Sequence, residues 1–346
     1  MIEKEVNYFK ILLRIIISGI GLGVIVGTIL KTINIKTLFS LSSYSVLLNK
    51  NSKKEISYKR EVIPERLTNK DEIELLSLKW KQLASKHDDL IASGFMFSLD
   101  DKKYAQLLPN KKLSAASSIK IAILLATFKM MDTGSLEWDE DLYLTNDVIG
   151  GGSGWIQYQP LGKKFAVHEV ATEMIRISDN TATNLLIKRL GGKDILNEYF
   201  KGIGLQSTQI NNLLPDLKGT NITSTKDLVR VLAMTDVGNL ISLRSRDLFR
   251  EIMSTSNSNR LIPGGVLKGL GEENKNHDYN LMIKGYKVYN KTGDIGIAYA
   301  DAALIQLPNN KRVIASFIVQ GPFNDPRSSQ LIRDMSSEMV DFFRVN

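Results

Sequence analysis

The run ILLRIIISGIGLGVIVGTIL, from Ile11 to Leu30, is twenty residues long and carries one charge, Arg14. At about 1.5 Å of rise per residue a helix of that length spans about 30 Å, the thickness of one hydrocarbon core. It predicts a single transmembrane anchor within residues 1–33, with the rest of the chain folding beside the membrane. A cleaved signal peptide is the rival reading, but its apolar stretch is usually about 7–15 residues and ends at a small-x-small site. Here Leu30 is followed by Lys31-Thr-Ile-Asn-Ile-Lys36. Lys4, Lys10 and Arg14 before the span face Lys31, Lys36 and Lys50 after it, so charge leaves the orientation open. Gly19, Gly23 and Gly27 share one helix face and would suit a weak dimer seam, although glycine is common in membrane helices without one.

Residues 34–69 are rich in Ser, Asn and Lys with weak periodicity and read as a basic tether. From residue 70 the pattern is that of a folded domain. Ile73, Leu76, Trp80 and Leu83 recur at helical spacing, and Ala92–Leu99 with Tyr104–Leu108 predicts a hairpin. From Ser117 to about Ser254 the periodicity is mostly helical. Three strand-like runs follow, Lys287–Lys291, Ala298–Leu307 and Arg312–Gln320, and an amphipathic stretch, Ser328–Phe343, closes the chain. This order predicts an α/β (α+β) domain with an antiparallel sheet lobe (70–113 and 262–346) covered by the terminal helices, beside an all-α lobe (114–261).

The chain has no Cys and three His (His87, His168, His277), which removes disulfides, thiolate nucleophiles and Cys-type metal sites. No metal and no cofactor are expected. His168-Glu169 lacks a second His four residues on, so a zincin is excluded, and Gly150–Gly154 lacks the Lys-Ser/Thr of a phosphate loop. The Gly-rich segment reads instead as a turn near a site mouth.

Three short motifs remain. Ser117-Ser118-Ile119-Lys120 opens an apolar helical run, so a hydroxyl and an amine share one helix face. A serine is a weak nucleophile until a base takes its proton, and a desolvated lysine beside another positive charge loses enough basicity to serve. Alone, the pattern is equally well a helix start. Ser178-Asp179-Asn180 reads alone as a helix break with Asx capping, and Lys291-Thr292-Gly293 as a turn with glycine at positive φ. Together and in this order they match the set Ser-x-x-Lys, Ser-Asp-Asn and Lys-Thr-Gly of class A β-lactamases and penicillin-binding proteins.

From about Lys70 to Asn346 the chain resembles that family throughout. The resemblance implies a five-stranded β-lactamase/transpeptidase-like fold, with Ser117 as the acylated nucleophile and Lys120 as its proton acceptor. It makes Ser178 a proton relay, and Asn180 a ligand of the substrate amide. Lys291 and Thr292, with Gly293 beside them, would take the substrate carboxylate, and the amides of Ser117 and Asp294 would form the oxyanion hole.

Two departures refine the expectation. Class A β-lactamases carry Glu-Pro-x-Leu-Asn after the second motif, and its Glu and Asn hold the water that hydrolyses the acyl-enzyme; the matching stretch here is Leu214-Pro215-Asp216-Leu217-Lys218. Leucine takes no proton, so a penicilloyl ester should persist. The sequence is similar here to the cyanobacterial penicillin-binding proteins that look like class A β-lactamases but act as D-alanyl-D-alanine peptidases. The second departure is that Gly296–Ala300 lacks the arginine many relatives place after Lys-Thr-Gly. The expected activity is a membrane-anchored D,D-peptidase with peptidoglycan stem peptides as substrate and β-lactams as covalent ligands. A β-lactamase using another base and a non-catalytic sensor of β-lactams or peptidoglycan stand as alternatives.

Charge agrees with this. The chain has 45 Lys+Arg, 37 Asp+Glu and a formal charge of +8, but residues 1–60 hold ten basic and three acidic residues, nearly the whole excess. The folded part is almost neutral. The basic character belongs to the membrane-proximal part, which suits anionic head groups and argues against a nucleic-acid partner.

Overall fold

The computed structural model describes residues 69–345 apart from 239, 259 and 273–280. The expected anchor, its Gly19, Gly23 and Gly27, nearly all of the tether, and His277 lie outside the described residues. Among the described residues no helix is long and apolar enough to cross a membrane.

Helix α1 (Glu74–Ala84) leads into the hairpin of β1 (Ile91–Ser98) and β2 (Tyr104–Leu107), as the apolar spacing predicts. A two-residue strand, β3 (Leu113–Ser114), then delivers the chain to a 3-10 turn, Ala116–Ile119, that runs into α2 (Lys120–Asp132). Every residue of α2 from Lys120 to Phe128 is buried, the mark of a helix enclosed on all sides. The helical region continues through β4 (Asp141–Tyr143), β5 (Lys164–Ala166), α3 (Val167–Arg176), α4 (Asn180–Arg189) and α5 (Lys193–Gly202). After β6 (Ile222–Thr223) come α6 (Thr225–Asp236), α7 (Leu243–Ser254) and α8 (Ile262–Gly269). The chain ends with β7 (Lys287–Asp294), β8 (Ala298–Gln306), β9 (Arg312–Gln320) and α9 (Pro326–Val345).

The large sheet has the order β2-β1-β9-β8-β7, antiparallel at every pairing. Both faces are covered, which is why β1 reads as a continuous apolar run rather than an alternating one. On one face Met96 and Phe317 pack with Trp80 of α1 and Met335 of α9, and Trp80 Nε1 donates to the Met335 carbonyl at 2.8 Å. Phe95, Phe97, Ile314 and Ile318 point the other way, into the core shared with α2 and the helical region.

Two features differ from the sequence reading. The pairs β3–β6 and β4–β5 interrupt the helical region, because strands of two or three residues carry no period-2 signal. Strand β7 runs three residues past Lys291. Gly293 and Asp294 are poor strand formers, but the register Lys291↔Ala302, Thr292↔Asp301, Gly293↔Ala300, Asp294↔Tyr299 overrides that preference. The third motif is therefore part of a strand, not a turn after one.

Candidate active site

Ser117 lies in the 3-10 turn and is half-buried, while Ser118, Ile119 and Lys120 are fully buried. The residue before it, Ala116, has φ 46°, a left-handed conformation that costs a residue with a side chain about 1–3 kcal/mol. Strand β7 presses on this turn. A Cβ on Gly293 would stand 2.7 Å from the Ser117 nitrogen and 2.9 Å from that of Ser118. Gly293 is not in the left-handed region, so close approach rather than turn geometry demands glycine here. Gly293→Ala is expected to push the strand off the nucleophile's turn and lower penicillin acylation by about 10²-fold, since a displacement of about 1 Å has that effect on reacting groups. Acylation rates beside thermal melting check this; a folded variant acylating at the wild-type rate would refute it.

The two motif lysines converge on one hydroxyl. Lys120 Nζ donates to the Ser178 carbonyl at 2.7 Å, to Ser178 Oγ at 3.1 Å and to Asn180 Oδ1 at 2.9 Å. Lys291 Nζ donates to the same Ser178 Oγ at 3.1 Å and to the Thr292 carbonyl at 2.7 Å. Burial first, and then the Lys291 charge, push the Lys120 amine well below the usual lysine value, against the pull of Asp179. Burial brings Lys291 down to about 8, opposed by Asp301. Burial and the Lys291 charge thus work against a proton on Lys120, the direction that a general base beside an ammonium requires. Ser178 links the two lysines, and a hydroxyl in that position can pass a proton either way.

Ser178 owes its place to a strained break between α3 and α4, with φ 60°. Asp179 caps α4, its Oδ1 accepting from the Ala182 amide at 2.9 Å, and its Oδ2 accepts from the Ile156 amide at 3.0 Å. The Gly-rich turn is tied to this break: Asn180 donates its amide to the Ser153 carbonyl and Nδ2 to that of Gly151. Gly154 is at φ 103°, and a Cβ there would lie 2.1 Å from the Asp179 carboxylate.

The loop after α5 reaches the same region. Leu214 is buried, and both its backbone groups are held by Asn184 of α4: the amide donates to Asn184 Oδ1 at 2.8 Å, and Asn184 Nδ2 donates to the carbonyl at 2.7 Å. Gly150 packs on that carbonyl, which a Cβ would meet at 2.3 Å. Asp216 is spent on its own loop, accepting from Thr220 Oγ1 at 2.9 Å and from the Asn221 amide at 2.5 Å. Lys218 is exposed.

A family model for the beta-lactamase enzyme family matches residues 76–343. The chain belongs to that family. It is thus a serine hydrolase of the β-lactamase/transpeptidase superfamily, as the three motifs imply. Among relatives, β-lactamase ROB-1 of Haemophilus influenzae is 25% identical over 241 residues, covering 64% of this chain and 72% of the relative. Among solved structures, PBP-A is 39% identical with a TM-score of 0.74, over 82% of this chain and 99% of its own. A Leu→Glu mutant of PBP-A, in an acyl-enzyme complex with penicillin G, matches at 38% identity and the same TM-score, over 81% of this chain and all of the other. The last common ancestor of Gram-negative class A β-lactamases, at 19% identity and TM-score 0.67, shares the fold.

Within this β-lactamase-family site several residues escape motif reading. Arg260 comes to the mouth of the third motif from the loop before α8, its Nη2 3.7 Å from Asp294 Oδ2, and its guanidinium is exposed. Gly296–Ala300 carries no arginine, so Arg260 brings a guanidinium to the third motif from another part of the chain. Ser258, two residues earlier, donates Oγ–H to Thr292 Oγ1. Asn184 is the clamp on Leu214. Nothing in the local sequence marks Arg260 or Ser258, whereas Asn184 stands one turn past the second motif on the same helix face as Asn180. Among the described residues no group of three or more His, Asp or Glu is placed to hold a metal ion.

Proposed function

We propose that this chain is a serine D-alanyl-D-alanine peptidase, a penicillin-binding protein acting on peptidoglycan stem peptides. Ser117 Oγ adds to the carbonyl of the penultimate D-alanine and its proton passes to the Lys120 amine. The tetrahedral intermediate collapses, the C–N bond breaks, and the proton reaches the departing D-alanine nitrogen by way of Ser178. Lys291, Thr292 and Arg260 hold the terminal carboxylate, Asn180 the side-chain amide, and the amides of Ser117 and Asp294 the oxyanion. Water or an acceptor amine then opens the ester.

The observation that carries this reading is the buried Leu214. The sequence match sets it against the deacylating glutamate of the β-lactamases, with Asp216 engaged within its own loop and no other carboxylate adjacent in sequence. After peptide cleavage D-alanine departs and water enters. An opened β-lactam keeps its amine tethered in the site, and with no base at 214 its ester lasts. The acyl-enzyme of the PBP-A relative is consistent with a covalent penicillin ligand here. The substrate lies outside the cytoplasmic membrane, so the apolar segment Ile11–Leu30 would anchor a catalytic domain on the extracytoplasmic face.

Incubation with penicillin should add one penicilloyl mass to the intact protein at Ser117, persisting over many minutes and absent in Ser117→Ala. Rapid turnover without accumulating adduct would instead establish a β-lactamase. Adduct formation without D-alanine release from a stem-peptide mimic would favour the sensor.

A further inference from the structure

Asp301 belongs to none of the three motifs, yet it lies on β8 in register opposite Thr292 and is fully buried. Its Oδ2 accepts from the Ile262 amide, at the start of α8, at 2.9 Å. Both of its oxygens lie 3.1 Å from Asn290 Nδ2, which also donates to the Ser258 carbonyl at 2.9 Å and stands 3.4 Å from Thr292 Oγ1. Ile262 and Ser258 flank Arg260, so both ends of the segment carrying that arginine are fastened to this one cluster.

The donor and acceptor inventory then fixes a direction. The Ser258 carbonyl can only accept, as can an ionised carboxylate, so Asn290 turns its NH₂, not its oxygen, toward both. That orientation sends its two hydrogens to the Asp301 carboxylate and the Ser258 carbonyl, which holds Ser258 where its Oγ–H reaches Thr292 Oγ1. Because Thr292 Oγ1 accepts from Ser258, its own proton is left for an outside partner. Such a hydroxyl can donate to a ligand carboxylate.

We propose that Asp301 is the positioning residue of the carboxylate subsite: through Asn290 and Ser258 it commits the Thr292 hydroxyl to donate, and through Ile262 it seats the Arg260 segment against the third motif. This rests on the proposed acylation chemistry and names the group that sets its carboxylate recognition. Burial raises Asp301 to about 7, opposed by the Ile262 and Asn290 hydrogen bonds and by Lys291, the charge facing it across the strand pair.

The test uses the full chain and two Ser117-directed reagents, penicillin, which carries the carboxylate, and an alkyl fluorophosphonate, which does not. Asp301→Asn can donate where Asp301 only accepts, freeing Asn290 to flip. It should raise the penicillin concentration giving half-maximal acylation rate by about tenfold, the worth of a hydrogen bond to a charged group, with the limiting rate little changed. Fluorophosphonate labelling should stay at the wild-type rate. Ser258→Ala removes one donor to Thr292 without touching the buried carboxylate; it should give a smaller shift of the same kind and keeps the test decisive if Asp301→Asn does not fold. Equal losses with both reagents, or unchanged half-saturation in a folded variant, would overturn the proposal. Failure of either reagent to label the wild-type chain would instead overturn the acylation chemistry itself.

Discussion

Lys120→Met should lower the rate of penicillin acylation at Ser117 by about 10²–10⁴, the usual worth of a positioned general base. The methionine fills the same buried space but takes no proton, and Ser117 is left to shed its own without help. The Ser178 carbonyl and Asn180 Oδ1 would each lose a donor, at about 1–3 kcal/mol for a buried acceptor left bare, while Ser178 Oγ keeps Lys291. Some loss of stability is therefore expected and has to be separated by thermal melting. The rate is read from the appearance of the penicilloyl mass at saturating penicillin. A folded Lys120→Met chain that acylates within a few-fold of wild type would remove Lys120 from the role of base.

The same pair of lysines sets the pH dependence of the wild-type chain. Lys120 must be neutral to accept a proton, and burial beside Lys291 lowers its value, so acylation rises as pH climbs through the Lys120 titration. Lys291 must be charged to hold a carboxylate and titrates at about 8, so the efficiency at low penicillin falls as pH climbs past that value. The profile is a bell with its alkaline limb near 8. Fluorophosphonate has no carboxylate to hold, and its labelling should lack that limb.

The grouping of these side chains was legible because it is written in contiguous residues: Ser117 with Lys120, Ser178 with Asn180, Lys291 with Gly293. Each motif needs only one turn of helix or one strand to place its side chains, and local sequence encodes that much. The helix of Ile73, Leu76 and Trp80 and the β1–β2 hairpin were legible for the same reason, since their burial follows a local period. Arg260 was not, because its approach to Asp294 depends on the path of a loop and on the register of a strand 34 positions away. Asp301 left a faint trace, a single charge within the otherwise apolar run Ala298–Ile305. A charge inside a buried strand needs a partner, but the sequence cannot say that Asn290 and the start of α8 supply it. Taken alone Gly293 reads as a turn glycine, because the turn that demands it, Ala116–Ile119, is far away in the chain.

Leu214→Glu tests the other half of the reaction, since it puts a carboxylate at a position of the loop that has none, Asp216 being engaged elsewhere. The backbone at this position is already fixed by Asn184, so the new side chain would start from a placed Cα rather than a mobile one. Leu214 is buried, and burial raises the pKa of a carboxyl group, which makes the glutamate a stronger base when ionised and leaves it protonated in acid. Penicilloyl-Ser117 hydrolysis should then accelerate by about 10²–10⁴ at neutral pH and rise further with pH until the glutamate is fully ionised. Acylation should change little, because Lys120 and Ser178 are untouched. The sequence match sets Lys218 against the asparagine that would help hold the water, so the single variant is expected near the lower end of that range and Leu214→Glu with Lys218→Asn above it. The decay of the penicilloyl mass after removal of free penicillin gives the rate directly. An adduct equally long-lived in wild type and in both folded variants would show that something other than the missing base at 214 keeps the ester from water.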